Sequence, residues 1–153
     1  MLKETPTPVK TYPAIKLIER QLPSPEGWER FSTSHEVQIL NKEQHTVGVI
    51  KLEKGLPVSG ETSHTMAWIR DITIEKAYRQ KGYGKAAYVE LLKFLGDMPL
   101  HSGLLNSDAS GYIWESLVRD GLAHEEYVEI GGEVRLVGYV SVPEVVKSKL
   151  LSS

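Results

Sequence analysis

The apolar positions switch between two periods along the chain, and each switch marks an element. Ala14, Ile15, Ile18 and Leu22 keep helical spacing behind Pro13, which predicts a short helix over 14–22. Residues 35–40 alternate as a strand does, 41–45 are polar, and 46–52 alternate again, so the pair predicts a hairpin. A long loop with Gly55, Pro57 and Gly60 follows over 53–65. Residues 68–74 then read as a strand, 75–84 as a polar turn, and 85–95 as a helix closed by Gly96. Tyr88, Leu91, Leu92 and Leu95 share one face of that helix, the face that should pack on a sheet. With another strand predicted at 100–105, the helix becomes a crossover between two parallel strands. The polar run 106–110 caps a second helix over 111–120, striped by Ile113, Leu117 and Val118 and ended by Gly121. The last two strands, 127–130 and 133–140, meet at Gly131-Gly132, which tolerates the positive φ of a two-residue hairpin turn. Residues 1–10 and 144–153 read as loose termini, the latter with a short helix as the alternative, and 28–31 as a turn without a fixed place.

The chain is organised around 68–96. A strand runs into a basic turn with two glycines, and the turn runs into a helix. Glycines let the backbone approach a phosphate closely, and the first N–H groups of the helix point at it with the positive dipole end behind them. Two nucleotide versions of this design are excluded. A P-loop needs Lys-Ser/Thr after its second glycine, and here Gly84 is followed by Lys85-Ala86. A dinucleotide fold needs three glycines directly after the strand. Here there are two, further on, in Arg79-Gln80-Lys81-Gly82-Tyr83-Gly84. An ordinary strand-to-helix turn with solvated Arg and Lys is the plain alternative.

Composition narrows the picture. A length of 153 residues fits one domain, and 41% hydrophobic with 25% charged residues is an ordinary globular composition. The net charge of −2 provides no general field toward nucleic acid or membrane, while Arg79, Lys81 and Lys85 make a local basic cluster suited to a small polyanion. The absence of cysteine excludes disulfides, thiolate metal sites and an acyl-cysteine intermediate. No apolar run is long enough to span a bilayer and the N-terminus has no signal-peptide core, so a cytoplasmic protein is expected.

The pattern Arg/Gln-x-x-Gly-x-Gly/Ala at Arg79 to Gly84, preceded by Ile72-x-Ile74 and Tyr78, resembles the acetyl-CoA pyrophosphate loop of the GNAT superfamily of N-acetyltransferases. The predicted order matches that superfamily over about 35–140 by this reading of the elements. The resemblance implies an α/β (α+β) domain spanning 1–153. Its sheet would be mixed and mostly antiparallel, with a central splayed parallel pair and helices on both faces. It implies acetyl-CoA as donor, with CoA as product, and direct attack by a primary amine on the thioester. Ile72, Thr73 and Ile74 would meet the arm and thioester through their backbone. Arg79, Gln80, Lys81, Gly82, Tyr83, Gly84 and Lys85 would receive the pyrophosphate. No metal is implied.

The chain departs from the superfamily pattern in its proton-transfer groups. Arg70-Asp71 stands where many relatives have Glu-Asp, leaving Asp71 as the candidate base; Glu75, His64 and His101 are further candidates. The usual acid is a tyrosine four residues before the second helix's closing glycine, but that position is Leu117 here, and Tyr112 is the nearest tyrosine. A GNAT-fold module that binds CoA or a protein without turnover is therefore the competing reading, and a different phosphate-binding α/β domain is a third. The acceptor, an amine on a small molecule or a protein, is not readable. The acidic residues near the final hairpin point weakly to a cationic one, and the hairpin's edge strand is where the superfamily would form a homodimer.

Overall fold

The computed structural model describes residues 12–23, 32–55, 65–103 and 108–151 and, of residues 108 and 109, the backbone alone. Seven strands form one sheet in the order β1-β2-β3-β4-β5-β7-β6. They are β1 (Ile15–Gln21), β2 (Ser32–Asn41), β3 (Thr46–Gly55), β4 (Met66–Ile74), β5 (Leu100–His101), β6 (Ala123–Ile130) and β7 (Glu133–Ser141). Every neighbouring pair is antiparallel except β4 and β5. Helix α1 (Tyr83–Leu95) joins that parallel pair, α2 (Asp108–Arg119) leads from β5 to β6, and α3 (Pro143–Val146) follows β7. The mixed sheet with a central parallel pair is the expected architecture.

The first predicted helix is a strand instead. Residues 15–21 pair with β2 from Ile15↔Asn41 to Gln21↔His35. Ile15 and Leu17 pack against the core, while Lys16, Ile18 and Arg20 are exposed. The same side chains satisfy a period of two as well as 3.6, and an isolated helix this short is marginal, so the open edge of β2 decides. Ile18, which completed the helical stripe, ends on the outer side of an edge strand. Both described helices of the predicted pair start earlier than expected, at Tyr83 and Asp108. The strand expected over 100–105 is only Leu100–His101, and 104–107 lie outside the described residues. The turn expected at 28–31 and the loop residues 56–64 also lie outside them. The C-terminal tail is helical and then makes a π turn, Lys147–Leu151, with Val146 fully buried.

One hydrophobic cluster holds the domain together. It joins Val37, Ile39, Ile50, Leu52, Ala67 and Ile69 of the sheet to Tyr88, Leu91 and Leu92 of α1, Trp114 and Leu117 of α2, and Val146. Trp114 packs edge-on against Tyr88 at 5.5 Å and stacks on Tyr139 of β7 at 5.9 Å. Aromatic contacts of these geometries add to area burial. Residues alternating with the core positions, such as Lys51, Arg70, Asp71 and Thr73, are exposed. Among the described residues the helices therefore gather on one face, and the expected cover of the second face is not among them.

Candidate active site

The site begins with a fault in β4. Lys51 pairs with Asp71 but Leu52 pairs with Ile69, so Arg70 is an extra residue in its strand. A bulge of this kind bends the strand and ends regular pairing on its far side. The parallel ladder with β5 is correspondingly short, at Ala67↔Leu100 and Trp68↔His101. Beyond Trp68 the described part of β4 has no paired strand on that side, with Gly103 approaching only Ile69 O.

The backbone groups facing this gap follow from the ladder. Glu75 N–H donates to Val47 O at 2.8 Å, across β3. Antiparallel pairing alternates, so Thr73 and Asp71 also turn to β3, and Ile72 and Ile74 turn to the gap. Arg79 Nε–H donates to Ile74 O at 2.8 Å. The edge therefore offers both polar groups of Ile72 and the N–H of Ile74 to an incoming extended ligand. Thr73, expected with them, faces β3 through its backbone, and its hydroxyl donates to Asp71 Oδ2 at 3.1 Å.

The glycine-containing turn follows directly. After the 3-10 turn Lys76–Tyr78, Gln80 and Gly82 both take left-handed backbone conformations, at φ 62° and 87°. Gly82 caps α1 without a side-chain hydrogen bond, and Ala86 N–H is the first to reach back, to Gly82 O at 3.0 Å. The N–H groups of Tyr83, Gly84 and Lys85 thus have no intrahelical acceptor and lie at the positive end of the helix. Both glycines sit close to neighbouring side chains. A Cβ at Gly82 would meet Pro13 Cδ at 3.3 Å, and one at Gly84 would meet Ile113 Cδ1 of α2 at 3.2 Å. Tyr78 and Tyr83 brace the turn, ring to edge, at 5.6 Å.

The three basic side chains part company. Arg79 and Lys81 are exposed beside the turn. Lys85 is buried, reaching α2 to donate to Ser116 Oγ and, at 3.3 Å, to Asp120 Oδ2. Its part in the turn is its backbone N–H, while its side chain ties α1 to α2.

The proton-transfer candidates lie apart. Asp71 is exposed on the face away from the helices, with Thr73 on one oxygen. Arg70 beside it is held by Glu53 of β3. Tyr112 is 67% exposed on the outer side of α2. It is neither packed in the core nor tied to Asp71. Glu75 is exposed, and His64 lies outside the described residues.

His101 is the unexpected arrangement. It stands where β4 and β5 part, with both ring nitrogens engaged. Gly103 N–H donates to Nδ1 at 3.0 Å, and Nε2 lies 3.1 Å from Glu126 Oε2 of β6. The imidazole crosses β7 over Gly138, where a Cβ would meet Ser102 Oγ at 2.7 Å and His101 Cε1 at 3.2 Å. Sequence reading placed Glu126 in the acidic run of the final hairpin, which points weakly to a cationic acceptor, but not beside His101, because β6 lies two strands from β5. A glycine within a strand, such as Gly138, was the one available sign of a close approach. The depression of about 1010 Å³ between Met98, Pro99, Val142 and Lys147 lies at the opposite end of β4 and β5 and shares none of these residues.

No family model matches the chain, and no curated protein matches it. Solved structures do. A spermidine N-acetyltransferase SpeG chimera from Vibrio cholerae and hSSAT is similar over 76% of this chain and 70% of its own, at 13% identity and a TM-score of 0.48. The histone acetyltransferase HPA2 and related acetyltransferase from Corynebacterium glutamicum ATCC 13032 is similar over 77% and 68%, at 12% identity and a TM-score of 0.47. Likenesses this distant assign no function by themselves. Among the described residues no helix is long and apolar enough to cross a membrane, and no group of side chains is arranged to hold a metal.

Proposed function

We propose that this chain is a GNAT-type acetyltransferase that moves an acetyl group from acetyl-CoA to a primary amine. One observation carries the reading: the parallel pair opens after Trp68 and His101, and the open edge of β4 leads straight into an uncapped, glycine-shaped helix start. An extended amide-bearing arm ending in a pyrophosphate fits that sequence of sites. The arm would pair with Ile72 and Ile74 as an added strand does. The pyrophosphate would rest on the amides of 80–85, with Arg79 and Lys81 adding charge.

The chemistry is direct attack on the thioester carbonyl. The amine forms the new C–N bond, the C–S bond breaks, and CoA leaves as a thiol once protonated. An open N–H on β4, at Ile72 or Ile74, serves the oxyanion. Asp71 is assigned as acceptor of the amine's proton, and Tyr112 or solvent as donor to the thiolate. Arg70 held by Glu53 and the exposed Tyr112 favour a second reading, a CoA-binding module without turnover. The homodimer that the resemblance implies would use the free edge of β6.

Isothermal titration with acetyl-CoA and with ATP tests the reading. Micromolar binding of acetyl-CoA with ATP much weaker supports it. Equal affinities, or no acetyl-CoA binding, would remove it. Turnover in an amine screen then separates enzyme from binding module.

A further inference from the structure

We infer that Glu126, braced by His101 across Gly138, is a docking site for the ammonium group of a cationic acceptor at the head of the gap between β4 and β5. The role rests on the acetyl-transfer reading; the site and its test do not.

Hydrogen bonding fixes the geometry. Gly103 N–H donates to Nδ1 of His101, so that nitrogen carries no proton and Nε2 does. Nε2–H then donates to Glu126 Oε2 at 3.1 Å. One carboxylate oxygen is thereby held in place, and no described contact reaches the other. The His101 side chain is 15% exposed and that of Glu126 42%. The brace is thus sheltered while the carboxylate meets solvent.

A single carboxylate on an edge strand is usually solvated and unspecific. Here two features set it apart. Its support comes from two strands away, through a glycine whose replacement would push on Ser102 and His101. Its brace sits at the last parallel pair, Trp68↔His101, where the gap opens. The arginine of β4, Arg70, three strands from β6, is held by Glu53. Other titratable groups on this face include Asp71 on β4, Lys51 on β3 and His124 on β6, all exposed, and Glu36 of β2, which pairs opposite Lys51 and is bonded by Arg20 of β1. An ammonium suits the free oxygen as a charge-assisted donor. Arriving on the face away from the helices, it would meet Glu126 and His101 beside the open edge of β4.

The test is direct binding. The probe is n-butylammonium chloride, titrated into the full chain at constant pH. The reporters are the His101 imidazole nitrogens, followed by long-range proton–nitrogen NMR. Sodium chloride and n-butanol, at matched concentrations, control for charge screening and for the alkyl chain. The expected result is a saturable shift with the ammonium alone, at least about tenfold weaker in Glu126→Gln. A shift matched by sodium chloride, absent altogether, or unchanged in Glu126→Gln would overturn the inference. If the ammonium binds through Glu126 but acetyl-CoA does not bind, the transfer reading falls and the ammonium site stands. If acetyl-CoA is turned over but Glu126→Gln changes nothing, the reverse holds.

Discussion

Two glycine substitutions separate the stability of the turn from its ligand role. Gly82 sits at φ 87°, so Gly82→Ala forces a side chain into a left-handed backbone conformation. That costs about 1–2 kcal/mol. The new Cβ would also lie 3.3 Å from Pro13 Cδ, a contact that a small movement of Pro13 relieves. A loss of this size lowers the melting temperature by about 2–8 °C for a chain of this length, which leaves the protein folded. Gly84 is different. It lies inside the first turn of α1, where alanine is favoured over glycine by up to about 1 kcal/mol. The opposing contact is one flexible methyl, Ile113 Cδ1, at 3.2 Å. Gly84→Ala should therefore be neutral or slightly stabilising. If a pyrophosphate rests on these amides, both added methyl groups crowd its approach. Both variants should then lose at least about tenfold in acetyl-CoA affinity, equivalent to about 1.4 kcal/mol. Thermal unfolding and isothermal titration on the two proteins measure both quantities. A common fall in affinity with stability moving in opposite directions cannot come from unfolding. Wild-type affinity in either folded variant would refute the cradle.

Three further predictions follow from packing and charge. A Cβ at Gly48 would sit 2.5 Å from Thr73 O, so Gly48→Ala should push β3 off β4 and cost about 1–3 kcal/mol in urea unfolding; an unchanged midpoint would show that the strands can part freely. His35 is buried, its Nε2 lies 2.6 Å from Thr33 Oγ1, and its Nδ1, 3.5 Å from Glu19, makes no hydrogen bond. Burial, followed by the Lys54 charge, holds its pKa below the usual 6.5, with Glu19 opposing. The unfolded chain thus binds the extra proton first, and His35's contribution is complete above about pH 6.5 and is lost as pH falls through the folded value. Melting curves between pH 5 and 8 should slope less in His35→Gln, and identical slopes would contradict the assignment. Replacing Arg79 and Lys81 together by Gln should weaken acetyl-CoA binding by about tenfold at low salt and by less at high salt, with unchanged salt dependence counting against their charge role.

The parts of this fold that could be read from sequence are the local ones. The strand, turn and helix of 68–96 lie within one stretch, and the left-handed positions fall on Gln80 and Gly82 inside the motif itself. Gly131 and Gly132 form the predicted hairpin turn, both at positive φ. Reading failed where distant chain decides. Residues 15–21 carry two compatible periods, and only the unpaired edge of β2 makes them a strand. The length of β5 is set by the bulge in its neighbour, not by the apolar run that follows Pro99. One trace of the bulge was present: Ala67 and Ile69 keep one phase and Ile72 and Ile74 the other, so Ile69 and Ile72 lie three apart, a phase break that a regular strand does not make.

The same division explains why the two sides of the candidate site differ in legibility. A phosphate is bound through backbone amides, and amides are oriented by glycines and a helix start within six residues. A motif can therefore carry the information. An amine is bound by side chains on the sheet face, and neighbours there are set by register. Glu53 lies 17 residues from Arg70 along the chain, yet holds it across one strand pair. With Arg70 extra in the bulge, a carboxylate on β3 and an arginine on β4 occupy the ground where a base would stand. Glu126, braced by the sheltered His101, stands on the far side of β5 and β7. Its acidic neighbours in sequence do not single it out from Glu125 and Glu129, because its brace, His101, comes from another strand and its clearance, Gly138, from a third. On the proposed reading, acceptor recognition is a property of register, and a change of one residue in the β6–β7 pairing would carry Glu126 to the other face and abolish it.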